Sequence, residues 1–116
     1  MVVTGRVTVP QLKALYLSAD ALLVTSDHEG FCVPLVEAMS LGVPVVAVPH
    51  AAVPDTAGPA ARYADADPAA LAGAIHEVIA DGGARERHLL AGRERYDERF
   101  TSAAIGRRFL ELLDAV

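Results

Sequence analysis

Two apolar runs, Ala21-Leu22-Leu23-Val24-Thr25 and Val43-Pro44-Val45-Val46-Ala47-Val48, constrain this chain most. Neither alternates apolar with polar residues, as a strand with one wet face would. Each reads as a strand covered on both sides, which requires helices above and below the sheet. Candidate helices follow. Val9-Pro10 opens one, with Pro10 tolerated because its missing N–H has no partner in a first turn, and Leu12, Leu15, Tyr16 and Ala19 fall at helical spacing. Pro34 to Leu41 forms the next, ended by Gly42. Asp67-Pro68 starts a third through Leu71, Ala74, Ile75, Val78 and Ile79, closed at Gly82-Gly83. Ala84 to Phe100 is an arginine-rich helix with Leu89, Leu90 and Tyr96 inward. Thr101 or Ser102 caps a last helix carrying Ile105, Phe109, Leu112 and Leu113. Val2 to Val7, interrupted by Gly5, and Ala60 to Ala64 read as short strands, and Pro49 to Ala57 as a loop or short helix. Strands alternating with helices predict an α/β fold, a doubly wound sheet with parallel strands.

Composition narrows the chemistry. The 116 residues suffice for one domain around one core. A net charge of −5 argues against binding nucleic acid or anionic membrane through bulk electrostatics. Three Tyr, three Phe and no Trp weaken a base-stacking platform. The single cysteine, Cys32, cannot form an internal disulfide, which suits a reducing compartment. No apolar run reaches the roughly 20 residues of a membrane span, and the N-terminus lacks a signal-peptide pattern. A cytoplasmic location is the expectation.

The chemistry-bearing stretch runs from Ser26 to Met39, from the carboxyl end of one buried strand into the next helix. Ligands of open α/β sheets bind at that end. N–H groups from Gly30 to Leu35, Pro34 excepted, lie where a helix start leaves them unpaired and the dipole adds positive charge. That suits a phosphate or diphosphate. Glu29 and Glu37 stand on either side of it, and ionised carboxylates accept strong hydrogen bonds from sugar hydroxyls. The residues alone leave plainer alternatives open: Glu37 as an acid favoured by the helix dipole, and Gly30 as an ordinary turn glycine.

Ser26-x-x-Glu29-Gly30-Phe31-Cys32-x-Pro34-x-x-Glu37-Ala38-Met39-x-x-Gly42-x-Pro44-Val45-Val46 closely resembles the donor-site signature of the retaining GT-B glycosyltransferases of group 1 (family 4-like). Gly5-x-Val7 with Leu12-x-x-Leu15-Tyr16-x-x-Ala19-Asp20 is similar to the segment upstream. Pro54-Asp55, Gly58 and Asp67-Pro68 with Leu71-Ala72-x-Ala74-Ile75 are similar to the segment downstream. The resemblance covers essentially the whole chain. It implies a partial doubly wound (Rossmann-like) sheet, the later half of the C-terminal donor domain of a GT-B fold, with residues 1–116 as one truncated nucleotide-sugar-binding domain.

By that resemblance Glu29 is the catalytic residue beside the donor sugar and Glu37 binds the ribose hydroxyls. Backbone amides of Gly30, Phe31 and Cys32 contact the sugar or diphosphate, Val33 and Leu35 lie at the helix start beneath the phosphates, and Arg6 and Val7 bracket the base. Cys32 stands where glycine is common, and its side chain would narrow the sugar pocket. Tyr16 reads as core packing. His28 reads as solvated, His50 lies on the ligand side, and His76 and His88 read as surface residues. Asp55 and Thr56 start a short helix near the nucleotide, and the arginines from Arg85 to Arg99 form a solvated face.

The donor would be a nucleotide-diphosphate sugar and the reaction metal-independent. The family's Gly-rich turn and the basic pair that neutralises the diphosphate have no counterpart here, and Lys13, the only lysine, is on the wrong helix. In a 3-2-1-4-5-6 sheet the chain would supply strands 3, 4, 5 and 6, leaving Ala21 to Thr25 beside a gap. That exposed strand would pair with the missing N-terminal half or with another copy, and the isolated chain would be inactive. An absent acceptor domain could bring the protein to a membrane periphery. The competing expectations are a non-catalytic nucleotide-sugar-binding remnant and a flavodoxin-like interaction module.

Overall fold

The computed structural model describes residues 1–28 and 30–115. Three short parallel strands, β1 (Leu22–Val24), β2 (Val45–Ala47) and β3 (Ala61–Tyr63), lie in the order β1-β2-β3. Leu22 stands opposite Val45, and Val45 opposite Ala61. Helix α1 (Val9–Ser18) precedes β1, α2 (Val33–Leu41) crosses from β1 to β2, and α3 (Val53–Ala57) with a 3-10 turn at Gly58–Ala60 leads into β3. Helices α4 (Pro68–Ala80), α5 (Gly82–Arg99) and α6 (Ser102–Asp114) follow. Among the described residues no helix is long and apolar enough to cross a membrane.

Successive side chains of β2 point to opposite faces, so one strand serves two cores. Val45 and Ala47 join Val24, Leu35, Ala38, Met39, Val53 and Ala57 under α2 and α3, with Tyr96 of α5 and Phe100 just beyond its end packed against them. Val46 turns the other way, onto Ala74 and Val78 of α4. This is the α/β arrangement with helices on both faces that the apolar runs predict. Helix starts follow the expected chemistry: the Thr8, Asp67, Asp81 and Thr101 side chains each accept a hydrogen bond from a backbone N–H three residues on. On the α4 face of the sheet, Arg62 of β3 pairs with Glu77 of α4 at 2.7 Å.

Several expectations are corrected. Val2 to Val7 forms no strand. Gly5 sits at φ +64°, which interrupts an extended run, and Val2 and Val3 are 86% and 83% exposed, with no described strand beside them. The sheet therefore has three contiguous strands rather than four around a gap. Gly82-Gly83 does not close α4 but begins α5, because Asp81 caps that helix directly. Leu90 faces solvent at 59% exposure. In α6, Ile105, Phe109, Leu112 and Leu113 are all more than half exposed, and only Ala104 is buried.

Candidate functional site

Strand β1 ends at Val24, and the chain turns through Ser26 to Cys32 before α2 begins. Glu29 lies outside the described residues, so the role expected of it carries no geometry. Asp27, His28, Gly30 and Phe31 are exposed, which leaves this turn open at the carboxyl end of the sheet. Cys32 differs. It adopts φ +62°, a left-handed conformation that costs a non-glycine residue about 1 kcal/mol or more. Its side chain is 3% exposed and belongs to the core beneath α2, so it does not stand in the open turn. The glycine common at this position in the resembling family suits that backbone without strain. Ala51, at φ +51° in the loop after β2, is the other non-glycine residue with positive φ among the described residues. Both follow the carboxyl ends of strands, Cys32 after β1 and Ala51 after β2.

The Leu35 N–H, expected to be unpaired, donates to the Cys32 carbonyl at 3.1 Å, closing the turn that launches α2. Two contacts hold Phe31. The Thr56 hydroxyl, 4% exposed, donates to the Phe31 carbonyl at 2.6 Å, and the Phe31 ring meets Phe100 edge-on with centroids 5.6 Å apart. Arg95 of α5 in turn donates from Nε to the Thr56 carbonyl at 3.2 Å and from its terminal nitrogen to the Asp55 carbonyl. A side chain built onto Gly58 would meet the Arg95 guanidinium at 2.7 Å, so the arginine lies flat on that glycine. Arg95 therefore leaves the solvated face expected of the arginine series and braces α3 and, through Thr56, the turn. Separations of 25 residues (Thr56 to Phe31) and 39 (Arg95 to Thr56) give no sequence signal.

Glu37 lies one turn into α2 and lines a cleft of about 270 Å³ with Val9, Leu12, Lys13, Tyr16, Ser40 and Leu41. The Tyr16 hydroxyl donates to Glu37 Oε2 at 2.7 Å, with the Pro34 carbonyl a second acceptor at 3.4 Å. The Tyr16 residue is 8% exposed. Burial, and then the Glu37 carboxylate that accepts its hydrogen bond, push the phenol above its ordinary value of 10.0. Tyr16 is a core residue, as expected, but its hydroxyl has a task the spacing of α1 does not reveal. Lys13 shares the cleft on the α1 side.

His50 and Asp27 come together at 3.1 Å, joining the loops that follow β2 and β1, and the two side chains remain 42% and 76% exposed. Arg6 and Val7 lie in the segment before α1, Arg6 exposed and Val7 half-buried. Val33 opens α2 and is 53% exposed. Among the described residues, no group of three or more His, Cys, Asp or Glu is placed to hold a metal ion.

Residues 1–95 match the family described as "Glycosyl transferases group 1". The chain is 45% identical over 49 residues to the MMP alpha-(1->4)-mannosyltransferase of Mycolicibacterium hassiacum, covering 42% of this chain and 12% of that protein. It is 37% identical over 83 residues to the O-antigen chain mannosyltransferase B of Escherichia coli, 71% of this chain and 22% of the relative. Against the GDP-mannose-dependent alpha-mannosyltransferase of Mycolicibacterium smegmatis it is 34% identical over 102 residues, 79% of this chain and 25% of the relative. The chain thus spans a quarter or less of each of these curated relatives. With 95 of its 116 residues inside the family match, the chain belongs to the glycosyl transferases of group 1.

Proposed function

We propose that this chain carries the nucleotide-sugar site of a glycosyltransferase that moves a hexose from a nucleotide diphosphate to an acceptor hydroxyl with retention of configuration. Glu37 accepts hydrogen bonds from the ribose hydroxyls. The backbone of Gly30, Phe31 and Cys32, with Val33 at the helix start, receives the diphosphate, and Arg6 and Val7 border the base. Glu29 supports the sugar ring electrostatically, as positive charge develops on it, rather than acting as a glycosidase-type nucleophile. The α2 dipole stabilises the departing diphosphate. No metal ion is assigned a step. The rest of the protein supplies the acceptor site and the basic pair.

The observation that carries this reading is Glu37 itself: an acid beyond the first turn of α2 rather than within it, lining a cleft, one helical turn from an open loop at the carboxyl end of a parallel sheet. Because three relatives are mannosyltransferases, one of them GDP-mannose-dependent, GDP and GDP-mannose are the first probes, with UDP as the comparison. Titration calorimetry on the 116-residue chain tests it. Hydrogen bonds to a charged group contribute about 1.5–3 kcal/mol, so Glu37→Gln weakens nucleotide binding about tenfold or more. Glu29→Gln spares GDP but weakens GDP-mannose. Equal affinities across all three proteins would overturn the assignment.

A further inference from the structure

We infer that Tyr16 is a positioning residue for nucleotide binding: its hydroxyl holds one oxygen of Glu37 so that the other faces the ribose. The inference rests on the ribose role proposed for Glu37 and adds a residue to it. Its basis is geometric. Glu37 Oε2 accepts from the Tyr16 hydroxyl at 2.7 Å, and this is the only side-chain hydrogen bond of that carboxylate among the described residues. A glutamate has three rotatable bonds and would otherwise lose affinity each time a ligand froze it. The phenol removes that freedom beforehand. Tyr16 belongs to the buried core cluster that also holds Cys32, Leu35 and Ala38, and it lines the cleft beside Glu37. A tyrosine needed only for packing would leave that hydroxyl buried and seeking an acceptor. Here the acceptor is an ionisable side chain 21 residues away, on the helix that opens the candidate site. The carboxylate keeps Oε1 for the ligand, and an ionised acceptor with one donor already in place binds a second donor at a fixed angle.

The test compares GDP and UDP, each with its analogue lacking both ribose hydroxyls, on the native chain, Tyr16→Phe, Glu37→Gln and the double variant. The readout is the ratio of affinities for nucleotide and analogue, which a merely structural loss does not move. The native chain prefers the hydroxylated form about tenfold or more. Tyr16→Phe reduces that preference about threefold, Glu37→Gln abolishes it, and the double variant matches Glu37→Gln because the phenol acts only through the carboxylate. If Tyr16→Phe keeps the native ratio while Glu37→Gln loses it, the positioning role falls and the Glu37 reading stands. If Glu37→Gln keeps the ratio, the Glu37 reading falls and the role of Tyr16 with it. A crystal structure of the native chain with GDP supplies a check independent of any variant's folding. The inference requires Tyr16 on Oε2 and ribose on Oε1. A ribose bound to both oxygens with the phenol displaced would overturn it.

Discussion

Strands β1 and β2 carry nearly the same kind of apolar string, yet their surroundings differ. Val45, Val46 and Ala47 of β2 are 1%, 0% and 0% exposed, whereas Leu23 in the middle of β1 is 45% exposed. The cause is position. β2 has a strand on each side and helices on each face. β1 pairs only with β2: the Leu22 N–H donates to the Pro44 carbonyl and the Val24 carbonyl accepts from Val48. Alternation in a parallel ladder then turns the N–H and carbonyl of Leu23 outward, where no described strand meets them. An apolar hollow lined by Leu12, Leu15, Tyr16, Ala19 and Leu22 adjoins this margin. An apolar string states that a strand needs cover, not that its own chain provides it. The same lesson applies to α6, whose Ile105, Phe109, Leu112 and Leu113 are more than half exposed. The candidate cleft lies between α1 and α2 and shares Leu12 and Tyr16 with that hollow.

The contrast can be broken at its strong end first. Leu35→Ala, at a 0% exposed site beneath α2, destabilises the chain by about 2–5 kcal/mol in urea unfolding, whereas Leu23→Ala costs less than about 1 kcal/mol. Equal losses would mean that the two regions are packed alike. Next in size, Thr56→Val removes the donor to the Phe31 carbonyl and costs about 1 kcal/mol, with faster amide exchange at residues 30–32 than in the native chain.

Alkaline pH probes the margin through Tyr16. Its folded value lies above its unfolded value of 10.0, so the folded chain holds the proton longer. The stability this contributes is whole below pH 10 and is lost as the pH climbs from 10 toward the folded value. Tyr63, raised chiefly by burial with Arg95 opposing, acts in the same direction. Unfolding midpoints therefore fall above pH 10, and less steeply in Tyr16→Phe; identical slopes would remove the buried phenol from the account. The smallest effect concerns the open edge. Leu23→Pro deletes an outward N–H without touching the β2 ladder, and it reduces concentration-dependent self-association in size-exclusion chromatography. An unchanged elution profile would argue against pairing through β1.

Much of the architecture is legible in the residues because local chemistry sets it. The unalternating runs mark β1 and β2, Pro10, Pro34 and Asp67-Pro68 mark the starts of α1, α2 and α4, and Thr101 caps α6. What fails to show depends on partners distant in sequence. Val2 to Val7 has strand-forming residues but no strand beside it among the described residues. Leu90, Ile105, Phe109, Leu112 and Leu113 follow helical spacing yet remain more than half exposed. Within the site, the Ser26-to-Met39 stretch identifies the turn, Glu37 and the launch of α2. The Tyr16–Glu37 bond and the brace from Arg95 through Thr56 to Phe31 join residues 21 to 39 positions apart, which no local pattern encodes.

Amide chemical-shift mapping of the 116-residue chain during titration with GDP and with UDP most directly tests whether the turn and the start of α2 form a nucleotide site. The account predicts saturable shifts at Gly30, Phe31, Cys32, Val33 and Glu37 with at least one of the two nucleotides, weakened by Glu37→Gln. Shifts confined to α4, α5 or α6, or none with either nucleotide, would contradict it.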